Sequence, residues 1–323
     1  MLDSVKQGLK YFNESVEKLY PEERAFCRLD MPLCTLRHGS SIRQYIWYSL
    51  KRFNGHERKK FMTDKRYLRK MKKISRGVDR ELLLDKKRFL TEYSGFVKRR
   101  WIDTADCTAE ELHRFVSSLG TVIVKPYAKL GGEGVFKYAY SKESFAEFTD
   151  KSRESLVEEL IIQHPALAAL NPNCVNTVRI VTYADAGEAA VIVAVLRVGA
   201  GEACVDNLSA GGTISGIDID TGVVVTPAIN RAQDEYLFSP VMGEQLIGFE
   251  IPYWEEAKAL ALRLAAVHPE IKYVGWDIAV TEEGVEIIEA NPHSGLGVLQ
   301  MADKIGRRDL EGEAKRSRSR LKY

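Results

Sequence analysis

Two long apolar stretches in this chain are separated by only three residues. Asn176 to Ala184 (NTVRIVTYA) and Glu188 to Gly199 (EAAVIVAVLRVG) flank Asp185-Ala186-Gly187. Both stretches are rich in β-branched residues. A connection this short closes an antiparallel hairpin, because a parallel return needs a dozen residues or more. The pattern recurs. KYVGWDIAV (272–280) faces GVEIIEAN (284–291), and GTISGIDID faces GVVVTPAI around Asp220-Thr221-Gly222. A chain built from such pairs is not a simple doubly wound parallel sheet.

Further strands are read at TVIVKP (121–126), VFKYAY (135–140) and SLVEELII (155–162). Helices are read at 3–19, 41–53, Ser141–Asp150 and 253–267, with Pro21, Pro32 and His38-Gly39-Ser40 as interruptions. Asp85 is a helix N-cap, and Thr108 with Glu111 forms a capping box that opens a helix to about Ser118. A mostly helical N-terminal third therefore precedes an α+β body.

The formal net charge of +2 conceals a partition. Residues 51–76 hold 12 basic and 2 acidic side chains, residues 77–303 hold 20 and 34, and residues 304–323 hold 8 and 3. In the basic arm, Phe53, Phe61, Tyr67, Leu68 and Met71 suggest one helix with a narrow apolar stripe. The arm serves either an anionic partner (a lipid surface, a phosphorylated carrier or a nucleic acid) or packing against the acidic body. The oppositely charged body favours the second, and no specific nucleic-acid binding is expected. The tail KRSRSRLKY reads as disordered.

No run of 18 apolar residues suggests a membrane span, and the first residues lack a signal-peptide apolar core. Cys27, Cys34, Cys107, Cys174 and Cys204 are scattered without a CxxC. The expectation is a cytoplasmic protein, or one peripheral to the inner membrane surface through its basic arm.

Four constellations carry chemistry. Lys125 ends a strand and is followed by Gly131-Gly132-Glu133-Gly134, a loop able to bring backbone N–H groups to phosphate oxygens. No Walker A pattern is present, so a plain glycine hairpin is the competing reading. With the last turn centred near Glu283, Asp277 and Glu289 oppose each other across two strands, and Asn291 shares the face of Glu289. Opposed carboxylates repel unless a cation joins them, and all-oxygen donors suit Mg²⁺ or Mn²⁺. Third, the apolar strand LVEELI carries Glu158 and Glu159, which suits either a nucleotide-binding hinge or a solvated edge. Fourth, Arg179 and Arg197 sit in apolar strands, where a guanidinium needs a phosphate, a carboxylate or a structural acid as partner.

Taken in order, VIVKP, LGGEGV, VEELI, VLRVG, GWDIAV and IIEANP resemble the ATP-grasp superfamily over residues 80–303. EELIIQHP, NTVRIVTY, VDNLSAGG and DIDIDTG most resemble its sugar-transfer-associated branch. The resemblance implies an ATP-grasp fold, two α+β lobes gripping ATP between antiparallel sheets. Lobes at 79–160 and 161–303 would lie between a helical basic extension (1–78) and a flexible basic tail (304–323). It implies that Lys125 contacts the α- and β-phosphates and that Gly131, Gly132 and Gly134 form a lid. Lys87, or its neighbour Lys86, would be the earlier phosphate lysine. Glu158, Glu159, Leu160 and Ile161 would line the nucleotide, and Asp277, Glu289 and Asn291 would bind magnesium. Arg197 and Asn207, with Arg179, would meet the γ-phosphate or an acyl phosphate. Gln163-His164-Pro165 departs from the family's usual ribose-binding glutamate.

The implied activity is ATP- and Mg-dependent ligation of a small-molecule or glycan-linked carboxylate to an amine or related nucleophile, in polysaccharide or secondary-metabolite biosynthesis. Two alternatives share the scaffold: a small-molecule or sugar kinase, and a non-catalytic nucleotide-binding partner of glycan assembly.

Overall fold

A computed structural model describes residues 2–127, 132–185 and 187–320. The N-terminal part is helical, with α1 (Leu2–Leu19), α2 (Arg24–His38), α3 (Ile42–Trp47), α4 (Gly55–Arg58), α5 (Asp64–Ile74), α6 (Glu81–Leu84) and α7 (Lys86–Glu92). Pro32 does not interrupt α2 but lies inside it. Its ring and the i−4 residue Arg28 are both exposed, so the carbonyl left without a donor is on the exposed side of the helix. The helix ends instead at Gly39, whose φ of 71° suits a left-handed cap.

The basic arm is not one helix. A 3₁₀ turn, α4 and α5 divide it, because Asn54 with Glu57 forms a capping box that restarts the chain. Phe61 and Met71 are buried as the stripe requires, while Leu68 is exposed. Met71 packs with Tyr183 and Tyr273 of the body, so the arm is docked on it.

The first lobe contains β1 (Trp101–Asp103), α8 (Ala109–Leu119), β2 (Thr121–Pro126), β3 (Phe136–Ala139), α9 (Phe145–Lys151) and β4 (Ser155–Glu159). Its four strands form an antiparallel sheet in the order β1-β4-β2-β3. Asp85 and Thr108 cap α7 and α8 as the sequence predicts. Leu112, Val116, Val122, Val124 and Phe148 form this lobe's own core.

The second lobe contains α10 (Pro165–Ala168), β5 (Thr177–Asp185), β6 (Glu188–Val198), β7 (Thr213–Ile217), β8 (Ala228–Ile229), β9 (Glu235–Tyr236), α11 (Trp254–Val267), β10 (Tyr273–Thr281), β11 (Gly284–Asn291), α12 (Leu296–Asp303) and α13 (Leu310–Arg320). The hairpins join into one seven-stranded antiparallel sheet, ordered β11-β10-β5-β6-β7-β8-β9. Strand parity separates its faces. Val178, Ile180, Leu196, Trp276 and Ile278 pack with α11, whereas Val181, Tyr183, Val195 and Tyr273 pack with α12 and α13.

As far as Arg320 the tail is a helix rather than a disordered segment, and residues 321–323 lie outside the described residues. Leu310, Ala314 and Ser317 recur at helical spacing and are buried, while Arg318 donates to the Asp185 and Glu188 carbonyls. Burial of that stripe outweighs the charge repulsion that the composition suggested. All five cysteines are free, and among the described residues no helix is long and apolar enough to cross a membrane.

Candidate functional site

The site begins with strand parity. Arg179, Arg197, Asp277 and Glu289 all fall on the sheet face shared by Val181, Val195 and Tyr273. Asp277 is in register with Arg179 on one side and Glu289 on the other. Immediately past that pair, the β10–β11 register slips by one, leaving Ile288 as an extra residue on β11. The expected Asp277–Glu289 pairing is therefore present, together with a bulge that the sequence did not announce.

The charges in this row are tightly coupled. Arg179 grips Asp277 through Nε and Nη2, each at 2.5 Å, and Arg197 Nη1 reaches the same carboxylate at 2.7 Å. Arg197 also pairs with Asp206 at 2.8 Å, and the Asp206 carboxylate accepts from Thr177. Asn291 Nδ2 lies 3.3 Å from both Asp277 Oδ2 and Glu289 Oε1. Burial would raise the Asp277 carboxyl, but Arg179 and Arg197 hold it well below the usual carboxylate range. Glu289 is pushed the other way by burial and by the Asp277 charge.

Across the cleft stands a second charge cluster. Lys125 Nζ pairs with Glu158 at 2.7 Å, and Arg99 Nε meets the same carboxylate at 2.5 Å. Arg99 also pairs with Glu286 at 3.0 Å and donates to the Ile287 and Ile288 carbonyls at 2.6 and 3.1 Å. It thus satisfies the bulged edge of β11 and ties the two sheets together. Burial alone would raise the Glu158 carboxyl, yet Arg99 and Lys125 bring it down to about 2.

Both clusters line one cavity of ≈ 620 Å³, within the usual range for small-molecule sites. Lys125, Arg179, Arg197, Asn207, Asp277, Glu289 and Asn291 all reach it, as do Glu158, Glu159, Leu160 and Ile161. Gly132 lies on its wall with φ of 80°, and a Cβ there would stand 2.9 Å from Asn207 Oδ1, so only glycine fits this close approach. Gly134 has φ of 72° but is not among the lining residues. Gly131 lies outside the described residues.

Lys87 is a correction. It is half-exposed, does not line the cavity and pairs with Asp103 at 2.8 Å and with Asp106, while Lys86 lines the cavity and donates to the Pro126 carbonyl at 2.7 Å. Consecutive helical residues point about 100° apart, so only one of two neighbouring lysines can face the cleft. Gln163 turns inward onto the Asn171 and Cys174 carbonyls, and His164 caps α10, so both are committed to structure. Arg99 was missed in the sequence. Its only signal is a basic triplet, Lys98-Arg99-Arg100, ahead of an apolar strand.

The donor types suit a divalent cation: two carboxylates and an amide converge, with Asn291 Nδ2 3.3 Å from an oxygen of each carboxylate, and the Asp277 charge beside Glu289 disfavours its ionised form unless a cation is present. Among the described residues no group of three or more His, Cys, Asp or Glu side chains is placed to hold a metal ion.

A family model described as sugar-transfer associated ATP-grasp matches residues 51–314, well over half of the chain. The chain belongs to this family. The matched region of this ATP-grasp protein begins at the basic arm, ahead of the first recognisable motif. The sequence matches no curated protein. Among solved structures it is similar to the ATP-grasp ligase PsnB complexed with a precursor variant, Mg and ADP (16% identity, 74% of this chain, 60% of that chain, TM-score 0.44). It is also similar to carboxyaminoimidazole ribonucleotide synthase from Aspergillus clavatus complexed with ATP (12%, 66% and 45%, TM-score 0.42). D-alanine–D-alanine ligase from Bacillus anthracis complexed with ATP gives 16% identity, 74% and 66% coverage, and a TM-score of 0.37. The chain spans about three fifths of the PsnB chain it matches.

Proposed function

We propose that the protein is an ATP- and Mg²⁺-dependent ligase that joins a carboxylate to an amine or related nucleophile through an acyl phosphate. The observation that carries this reading is the meeting of two unlike charge sets across one cleft: Lys86 and Lys125 on one wall, Asp277, Glu289 and Asn291 on the other. Lys86 and Lys125 would neutralise the polyphosphate, and Leu160 and Ile161 offer apolar surface to the base. Asp277, Glu289 and Asn291 would hold Mg²⁺, which supplies charge neutralisation at the transferring phosphoryl group. Arg179 and Arg197, fixed beside the same carboxylate, are preorganised cations for a developing acyl phosphate. Beyond them the cleft wall changes character. Trp47, Leu208, Val298 and Leu299, which share one apolar cluster, bring apolar surface to it, and Arg231 also lines the cavity. This end suits a carboxylate substrate with an apolar or sugar-ring body, consistent with the family's association with sugar transfer.

The test is ADP release over panels of acids and amines, with product masses recorded. The ligase reading requires release that depends on both an acid and a nucleophile, and an amide or ester product. A stable phosphoester formed from an alcohol without any acid would replace it with a kinase.

A further inference from the structure

The helices of the N-terminal region have a second apolar face that their own core does not use. In α2 the inner residues Cys27, Met31 and Cys34 are buried. On the other side Phe26, Leu29, Leu33 and Leu36 are 51%, 72%, 48% and 83% exposed. Their spacing of three, four and three residues makes a continuous stripe along the helix. Arg28 and Arg37 are exposed on the same helix.

Helix α5 begins where α2 ends. Thr63 Oγ1 donates to the His38 carbonyl at 3.1 Å, and the Lys65 stem lies against Gly39. With Met71 turned into the core, α5 exposes Lys65, Leu68, Arg69, Lys72 and Lys73. Among the described residues the arm's ion pairs are those of Lys51, Arg58 and Lys70. The other basic side chains of α5 are not neutralised by the acidic body. Arg66 shows this crowding: burial, then the charges of Arg308 and Arg69, push its guanidinium below its ordinary value.

We propose that α2 and α5 together form a docking surface for an anionic lipid bilayer. The stripe Phe26-Leu29-Leu33-Leu36 enters the boundary between headgroups and acyl chains, and the basic face of α5 meets the lipid phosphates and carboxylates. Charge complementarity selects this occupant. A second copy of the chain pairing through α2 would cover the leucines but leave the α5 charges facing an equally basic surface. The bilayer accounts for both features at once. The surface lies outside the cleft, so it concerns where the protein works rather than what it catalyses.

The experiment is co-sedimentation of the full-length protein with vesicles of phosphatidylcholine alone, or with roughly 30% phosphatidylserine, at low and high salt. Binding is expected to the anionic vesicles only and to weaken as salt rises. Leu29→Ser with Leu36→Ser should reduce partitioning about tenfold per leucine, and Lys72→Gln with Lys73→Gln about fivefold per charge. Circular dichroism and Mg-ATP affinity should be unchanged, since none of these residues lines the cleft. Equal binding to neutral and anionic vesicles, or none to either, overturns the proposal. So does anionic binding that ignores the leucine substitutions, which would mark a simple polyanion site. A dimer that the leucine substitutions dissolve, without vesicle binding, would assign the stripe to a second copy.

Discussion

The two walls of the cleft solve the same electrostatic problem differently. On the first-lobe wall, Glu158 is buried between Arg99 and Lys125, and Arg99 is shared with Glu286. Two cations meet two carboxylates, and the set is neutral. On the second-lobe wall, Asp277 is likewise buried between two cations, Arg179 and Arg197. Here, however, Asp206 and Glu289 join, so two arginines face three carboxylates. The first wall is closed on itself and serves as a clamp between sheets. The second is left one negative charge in excess, at the residue that reaches the cleft. Glu289 is half-exposed to the cleft, so the excess charge stands where a cationic ligand could meet it. That difference makes the second wall the candidate metal site and the first wall a scaffold that offers Lys86 and Lys125.

The strongest way to break this contrast is to remove the excess charge. Glu289→Gln should abolish Mg²⁺-dependent ADP formation while leaving circular dichroism near that of the parent protein, and Asp277→Asn should abolish it with an added loss of stability, since it takes away the carboxylate that Arg179 and Arg197 share. A double variant that kept the parent rate would end the metal assignment and make the two walls equivalent.

The clamp wall should fail through folding instead. Arg99→Leu leaves Glu286 without its cation and Glu158 with Lys125 alone, and breaking a buried pair on one side typically costs about 3–5 kcal/mol. Urea unfolding measures this. The same wall has an acid signature. Glu158 sits at about 2 against an ordinary 4.5, so its contribution is present above pH 4.5 and is lost as the pH falls toward 2. The stability gap between the parent and Glu158→Gln should therefore narrow between neutral and acid pH. A gap that stayed constant would show that Glu158 acts by packing rather than charge.

Lys125 belongs to the clamp by its ion pair and to the cleft by position. Lys125→Ala should weaken Mg-ATP binding by about ten- to a hundredfold, the scale of one charge-assisted contact of roughly 1.5–3 kcal/mol. Calorimetric titration decides this. Equal affinities would confine Lys125 to the clamp.

What the sequence reveals follows from how locally each contact is determined. The β10–β11 hairpin is legible because a two-residue turn sets Thr281 against Gly284, but the Asp277–Glu289 pairing itself depends on the Ile288 bulge, since that turn alone would oppose Asp277 to Ile288. The caps at Asp85 and Thr108 are legible for the same reason, since each is settled within four residues. Arg99 is not, because its partners lie 59 and 187 residues away and nothing in Lys98-Arg99-Arg100 marks which side chain turns inward. The break in the basic arm was legible in Asn54 and Glu57 but was outweighed by the length of the charged run. In the tail, composition spoke for disorder while the spacing of Leu310, Ala314 and Ser317 spoke for a helix, and the spacing prevailed.

The smallest expected effect tests how sharply the clamp wall is drawn. Lys86 and Lys87 are adjacent and chemically identical, so composition cannot separate them. The helix that begins at Lys86 does so by geometry. Asp85 caps it by accepting from the Arg88 N–H, which fixes the direction of the first turn. That orientation carries Lys86 to the Pro126 carbonyl, one residue from Lys125, and carries Lys87 outward to Asp103 and Asp106. Burial, with the nearby Lys125 charge against the pull of Glu289, lowers the Lys86 ammonium. Lys87 is raised instead, chiefly by its hydrogen bonds to the two aspartates. Lys86→Ala should weaken Mg-ATP binding by up to about tenfold, whereas Lys87→Ala should leave it within about twofold of the parent. Parallel calorimetric titrations of the two variants make the comparison. If Lys87→Ala proved the weaker binder, α7 would be rotated relative to the cleft, and the phosphate-facing edge of the first wall would have to be redrawn around Asp103.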